Sequence, residues 1–133
     1  MKESKELNTF KLENLEVYQL ALALSKTAWK TYQNLSWEIK KTAGSQFIES
    51  ADSIGANIAE GYGRFHYSDR IKFLYNARGS LLESRHWFNL LSGRKLIDEN
   101  LEKEFLAIYK KLRPKLNALI QSIYRNKNLP NTK

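Results

Sequence analysis

The chain has 133 residues, a net charge of +8 and 42% hydrophobic residues, which suits one domain with a real core and excludes a disordered polyelectrolyte. With no cysteine, disulfides, thiolate catalysis and Cys-based zinc sites are excluded, as a reducing cytoplasm would suit. No uncharged apolar run approaches the ~18–20 residues of a membrane span, and Met1-Lys2-Glu3-Ser4-Lys5-Glu6 leads into no apolar signal core, so a cytoplasmic protein away from membranes is expected.

Only two prolines and six glycines interrupt the chain, and no strand-like alternation persists. Apolar spacing predicts four helices. Residues 1–13 read as an N-terminal extension. The first helix is expected from about Asn14 to Leu35, with a core stripe of Leu15, Tyr18, Leu22, Ser25, Trp29 and Tyr32. Val17, Ala21, Leu24 and Ala28 widen that stripe enough for two neighbours. The second is expected from Thr42, as N-cap, to Gly61, with Phe47, Ala51, Ile54 and Ile58 inward and Ser50, Ser53, Asn57 and Glu60 beside them. Gly61 and Gly63 are suited to a left-handed helix stop.

The third helix is expected from Ser68, a cap followed by Asp69, to Leu91. Leu74, Ala77, Leu81, Phe88 and Leu91 would face inward, and Gly93 would close the helix. The fourth is expected from about Asp98 to Tyr124 on the spacing of Leu101, Phe105, Ile108, Leu112, Leu116, Leu119 and Ile123. The pattern keeps its phase across Pro114, which predicts a kink and not a break. A frayed tail would occupy 126–133. Short connections of about six residues make sequential helices antiparallel neighbours, so 14–125 is expected to form an all-α, up-down-up-down antiparallel four-helix bundle.

Two stretches, Ser53-Ile54-Gly55-Ala56-Asn57-Ile58-Ala59-Glu60-Gly61 and Ala77-Arg78-Gly79-Ser80-Leu81-Leu82-Glu83, put small or polar residues where a helix favours Leu or Ala. A mid-helix glycine costs about 1 kcal/mol relative to alanine, and close approach of two helices is the simplest compensation. On this reading Ser53, Asn57, Glu60, Gly61, Arg78, Gly79, Ser80 and Glu83 are helix-packing or interface residues. Asn57 and Ser80 would hydrogen-bond across the second and third helices. Gly79→Leu would force those helices apart at a cost of about 1–3 kcal/mol.

Chemistry is sparse. The histidines are His66 and His86, and no pair of Glu-x-x-His motifs exists for a bundle di-iron site. Gly61-Tyr62-Gly63 is too short for a phosphate-binding fingerprint. Glu60 and Glu83 could face each other as a carboxylate pair, but pairing with Arg64, Arg78 or Arg85 is the favoured reading. No catalytic residue, metal or cofactor is assigned.

The surface signals are aromatic and basic. Trp37, Tyr62, Phe65, Tyr67, Tyr75 and Trp87 exceed what a small core should hold, which favours a subunit interface over base stacking. Residues 99–133 carry eight Lys/Arg against three Glu, a net of +5, whereas 43–66 carry one Arg against three acids, a net of −2. The basic set is Lys103, Lys110, Lys111, Arg113, Lys115, Arg125 and Lys127, with Arg94 and Lys95 from the preceding loop and Arg70, Lys72, Arg78 and Arg85 from the third helix. Gathered on one face, these would bind phosphates without base preference.

Ser53-Ile54, Asn57-Ile58-Ala59-Glu60-Gly61, Gly63-Arg64, Ser68, Phe73-Leu74 and Ala77-Arg78-Gly79-Ser80-Leu81 with Glu83 resemble the signature of the bacterial four-helix-bundle proteins encoded by intervening sequences in large-subunit ribosomal RNA genes. That fold group includes the accessory protein of diversity-generating retroelements. The resemblance spans about Asn14 to Asn100. It implies a four-helix bundle in a homopentameric ring and a nucleic-acid role, and for the retroelement relatives binding to a reverse transcriptase. The chain departs from the family pattern at Leu35-Ser36-Trp37-Glu38, which lacks a proline, at Glu49-Ser50 before Ala51, and at Ser84-Arg85-His86-Trp87-Phe88. The expected function is a non-enzymatic, oligomeric RNA- or DNA-binding protein. The alternative is a structural scaffold that recruits a protein partner such as a nucleic-acid enzyme.

Overall fold

The computed structural model describes residues 11–128, with side chains to Asn126. After a 3-10 turn at Leu12–Asn14, four helical segments follow: α1 (Glu16–Gln33), α2 (Trp37–Ile39, a π turn at Lys40–Gly44, then Ser45–Tyr62), α3 (Tyr67–Gly93) and α4 (Glu99–Asn128). Each packs on the next, and α4 closes the bundle against α1. Among the described residues there is no strand, and the architecture is the expected all-α, up-down-up-down bundle. No helix among them is long and apolar enough to cross a membrane.

The inward faces of α2, α3 and α4 follow the spacing. Phe47, Ala51, Ile54 and Ile58 are fully buried, as are Ala77, Leu81 and Leu91, while Leu74 and Phe88 are nearly so. Phe105 sits at the centre. Its ring stacks on Phe88 at 4.3 Å between centroids and tilts against Phe47 at 5.6 Å, so one side chain ties three helices together. Tyr109 and Ile120 join the α4 core although the heptad reading passed over them.

On α1 the expected stripe is corrected. Val17, Ala21, Leu24, Thr27, Ala28 and Thr31 are buried, whereas Leu22 is 49% and Trp29 50% exposed. The two threonines explain the phase error. Thr27 and Thr31 return their hydroxyls to the carbonyls of Ala23 and Thr27, and Thr27 also donates to Glu104 Oε2 on α4 at 2.7 Å. Satisfied hydroxyls can sit in a core, so the four apolar residues expected to widen the stripe, Val17, Ala21, Leu24 and Ala28, are with these two threonines the centre of the buried face.

Helix ends differ as well. Ser36, not Thr42, caps α2 and accepts from the Ile39 N–H at 3.4 Å. Thr42 lies inside the helix and donates to Glu38 and Ile39 carbonyls. The α3 helix starts at Tyr67 with no side-chain cap, so Ser68 is not its N-cap. No glycine among the described residues has positive φ, so Gly61, Gly63 and Gly93 do not provide left-handed stops. The left-handed residue after α3 is Lys95, at φ 59°, where the Lys95 N–H reaches the Ser92 carbonyl and the Leu96 N–H the Leu91 carbonyl. The connections are three to five residues, shorter than expected. The α4 helix runs through Pro114 to Asn128, beyond the expected end at Tyr124 and into the tail that was expected to fray. Residues 1–10, most of the expected extension, and 129–133 lie outside the described residues.

Candidate nucleic-acid interface

The α2–α3 seam holds some of the expected packing residues. Ser80 donates to Ser53 Oγ at 3.0 Å across the two helices. Asn57 does not make the crossing bond. Its Nδ2 bonds the Ser53 carbonyl at 2.9 Å and Ser53 Oγ at 3.0 Å within α2. A β-carbon on Gly61 would stand 3.2 Å from Phe73 Cβ and 3.3 Å from the Arg70 carbonyl, so the close approach is at Gly61. Gly79 has nothing within 4 Å of that position, which corrects its packing role and the destabilisation expected of Gly79→Leu.

These contacts set an antiparallel register in which 53 lies opposite 80 and 61 opposite 73. Glu60 and Glu83 are therefore about ten residues, or ~15 Å, apart along the seam, and they form no pair. Glu60 instead meets Arg64 at 2.6 Å, and Glu83 accepts from Trp87 Nε1 at 3.3 Å.

Arg78 leaves the α2 seam altogether. Its guanidinium donates to Asn117 Oδ1 on α4 at 3.2 Å and lies 4.9 Å from the Tyr75 ring centroid. One helical repeat on, Arg85 donates through Nε to Asn89 Oδ1 at 2.8 Å, and its guanidinium lies 5.0 Å from the Tyr109 ring centroid. Between α3 and α4 is an open groove of about 490 Å³ lined by Arg85, Leu106, Tyr109, Lys110, Arg113, Pro114 and Asn117. None of these residues is acidic. Lys110 and Arg113 are exposed there, so the groove gathers Lys110, Arg113 and Arg85, with Arg78 at its Asn117 end.

The rest of the basic set is dispersed. Lys115 pairs with Glu16 at 3.3 Å, and Lys30 with Glu104 at 3.6 Å, which neutralises the α1–α4 seam. Lys111 is exposed one turn from Lys115 on that side of α4. Lys103 is exposed two turns before Lys110 on the same stripe, and the exposed Arg94 and Lys95 sit in the loop at that end. Arg125, also exposed, is fifteen residues beyond Lys110, about 22 Å along the helix. The Lys127 side chain lies outside the described residues. Sequence reasoning left Leu106, Tyr109 and Asn117 out of the site, and it counted Arg78 and Arg85 in the basic set without joining them to Lys110 and Arg113. The seven-residue spacing of Arg78 and Arg85 was the available signal, since it puts both on one helix face.

A second surface lies on α1 and α2. The exposed Trp29 stacks on Tyr32 at 5.4 Å. Leu22 borders a shallow cleft with Tyr18, Ser25, Asp52, Gly55 and Ala56, and the Ser25 hydroxyl donates to Asp52. Trp37, Tyr62, Phe65 and Tyr75 are exposed as expected, Phe65 at 85%, whereas Tyr67 and Trp87 are half-buried.

Residues 13–118 match the family described as 23S rRNA-intervening sequence protein. The chain belongs to this family. Among curated proteins none matches the chain. The fold of the family recurs in a crystal structure of a protein of unknown function from the S23 ribosomal protein family of Bacteroides thetaiotaomicron. The two share 24% sequence identity with a TM-score of 0.73, over 84% of this chain and 99% of that one. Neither comparison indicates an enzyme family.

Proposed function

We propose that this member of the 23S rRNA-intervening sequence family is a non-enzymatic nucleic-acid-binding protein, with RNA as its polyanion and the cytoplasm as its compartment. The observation that carries the proposal is the state of the cations in the α3–α4 groove. Lys30, Arg64 and Lys115 each face a carboxylate. Arg78 and Arg85 are held by neutral amides and aromatic rings, in a groove without an acidic residue. Their charge is left for a ligand, and arginine forks suit phosphate oxygens. Lys103, Arg94 and Lys95 extend the positive surface from one end of the groove.

The exposed Leu22, Trp29 and Trp37 support a homo-oligomer, with the pentameric ring as the assembly that the family resemblance implies. They also favour the second reading, a scaffold that recruits a protein partner. Fluorescence anisotropy with a labelled structured RNA decides between them. At ~50 mM salt, where phosphate binding is strongest, the protein is expected to bind, and Arg85→Glu to weaken binding about tenfold or more. Absence of binding at that salt overturns the nucleic-acid reading and leaves the scaffold.

A further inference from the structure

We propose that the α3–α4 groove takes an unpaired strand of nucleic acid, with phosphates on its guanidinium groups and base faces against its apolar wall; the inference rests on the nucleic-acid reading above. The first support is a device that α3 carries twice. Arg78 lies over Tyr75 and donates to Asn117; Arg85 lies over Tyr109 and donates to Asn89. In each case the ring and the amide oxygen fix the planar fork while its charge stays uncompensated. Such a preorganised guanidinium loses less freedom for each hydrogen bond it then forms.

The second support is the apolar surface beside these cations. Leu106 and Pro114 line the groove and are exposed. Leu82, 47% exposed, shares the α3 stripe of Arg78 and Arg85. A duplex meets a protein with sugars and phosphates and keeps its base faces stacked inside, so an apolar wall next to phosphate sites gains little from it. An unpaired strand offers both phosphates and base faces.

The third support is size. Arg78 and Arg85 are seven residues apart, about 10.5 Å along α3, which matches about three nucleotides of stacked strand at ~3.4 Å each. Packed helix axes lie about 8–10 Å apart, so the floor between them is narrow. Readers of double-stranded RNA span about 16 base pairs, far more than this groove offers.

The test titrates the full-length protein by anisotropy with two labelled RNAs of about 12 nucleotides, a U-tract strand and a blunt duplex of equal length. The strand is expected to bind about tenfold tighter. Four cations predict a log–log salt slope near −3 for the strand, at about −0.7 per phosphate. Leu106→Ser should weaken the strand several-fold and leave that slope unchanged. Arg85→Gln combined with Lys110→Gln should flatten the slope by about 1.4. All three positions are on the bundle surface, and unchanged helicity by circular dichroism verifies that the variants fold. Equal binding of strand and duplex, lost in the double variant, overturns the single-strand inference and leaves the nucleic-acid reading standing. Strand binding that survives the double variant places the site elsewhere and also overturns it. Binding of neither RNA at ~50 mM salt overturns both.

Discussion

A β-carbon on Gly44 would sit 2.9 Å from the Ile39 carbonyl oxygen and 3.0 Å from Leu35 Cδ1. The π turn at Lys40–Gly44 causes this, because its extra residue brings the backbone of the preceding turn inward, under the buried Leu35. Since backbone cannot swing aside as a side-chain tip can, Gly44→Ala should destabilise the protein by about 1–3 kcal/mol. At Gly79 the same methyl would meet nothing within 4 Å. There the substitution removes only the helix cost of glycine, so Gly79→Ala should stabilise by about 0.5–1 kcal/mol and raise the melting temperature by about 2–5 °C. Thermal denaturation of both variants checks the pair. A loss of stability in Gly79→Ala would mean that this face of α3 is covered by another subunit. The sequence pointed to Gly79 and passed over Gly44, because a small residue reports that space is limited only when something stands opposite, and what stands opposite is set by the fold.

At the scale of the element, α4 shows what packing can override. Pro114 lacks an N–H and leaves the Lys110 carbonyl without its partner one turn back. Yet the helix runs unbroken from Glu99 to Asn128. Leu112, Leu116 and Ile120 flank the proline and are buried, while Pro114 itself is exposed, so water can satisfy the freed carbonyl. Pro114→Ala should therefore restore one hydrogen bond on the solvent side and stabilise by about 1–3 kcal/mol, read as a higher urea midpoint at an unchanged slope. A lower midpoint would mean that the bundle needs the shape the proline gives. The helices most legible in the sequence were those whose expected inward residues are the ones buried, although α2 also buries Ser50 and α3 also buries Ser84. Phe47, Ala51, Ile54 and Ile58 announce α2, and Leu74, Ala77 and Leu81 announce α3. On α1 the centre of the stripe was misplaced, although Val17, Ala21, Leu24 and Ala28 were expected beside it, because Thr27 and Thr31 complete the buried face with hydroxyls bonded to the helix backbone, and no periodicity of apolar letters registers that. The groove was half legible. Lys110 and Arg113 stood in a basic run, but their union with Arg78 and Arg85 depends on the α3–α4 register, which the Arg78–Asn117 contact fixes.

Over the whole molecule, the cations without carboxylate partners gather on the α3–α4 side, where Leu82 and Leu106 are also exposed, and a second exposed apolar surface lies on the α1–α2 face. The α1–α4 seam is neutralised by Lys30–Glu104 and Lys115–Glu16, the α3–α4 groove keeps its cations free of carboxylates, and α1 carries Leu22 and Trp29 toward solvent. If subunits associate through the α1–α2 face, each one turns its groove outward, and several grooves can hold one RNA. Linked sites gain avidity by making later contacts intramolecular, commonly by a factor of about 10²–10⁴. Leu22→Glu combined with Trp29→Glu puts two carboxylates on the apolar face and leaves the groove untouched. Sedimentation velocity should then report a monomer of 15.5 kDa, and affinity for a long unpaired RNA should fall about 100-fold. Affinity for a strand that fills a single groove should stay within about twofold of the parent protein, since avidity needs more than one site. An assembly that survives both glutamates removes the α1–α2 face as the interface. A monomer that keeps full affinity for long RNA removes the avidity argument, because one groove then supplies all of the binding. The two RNA lengths separate these cases: assembly acts only on the long strand, whereas damage to the groove would weaken both alike.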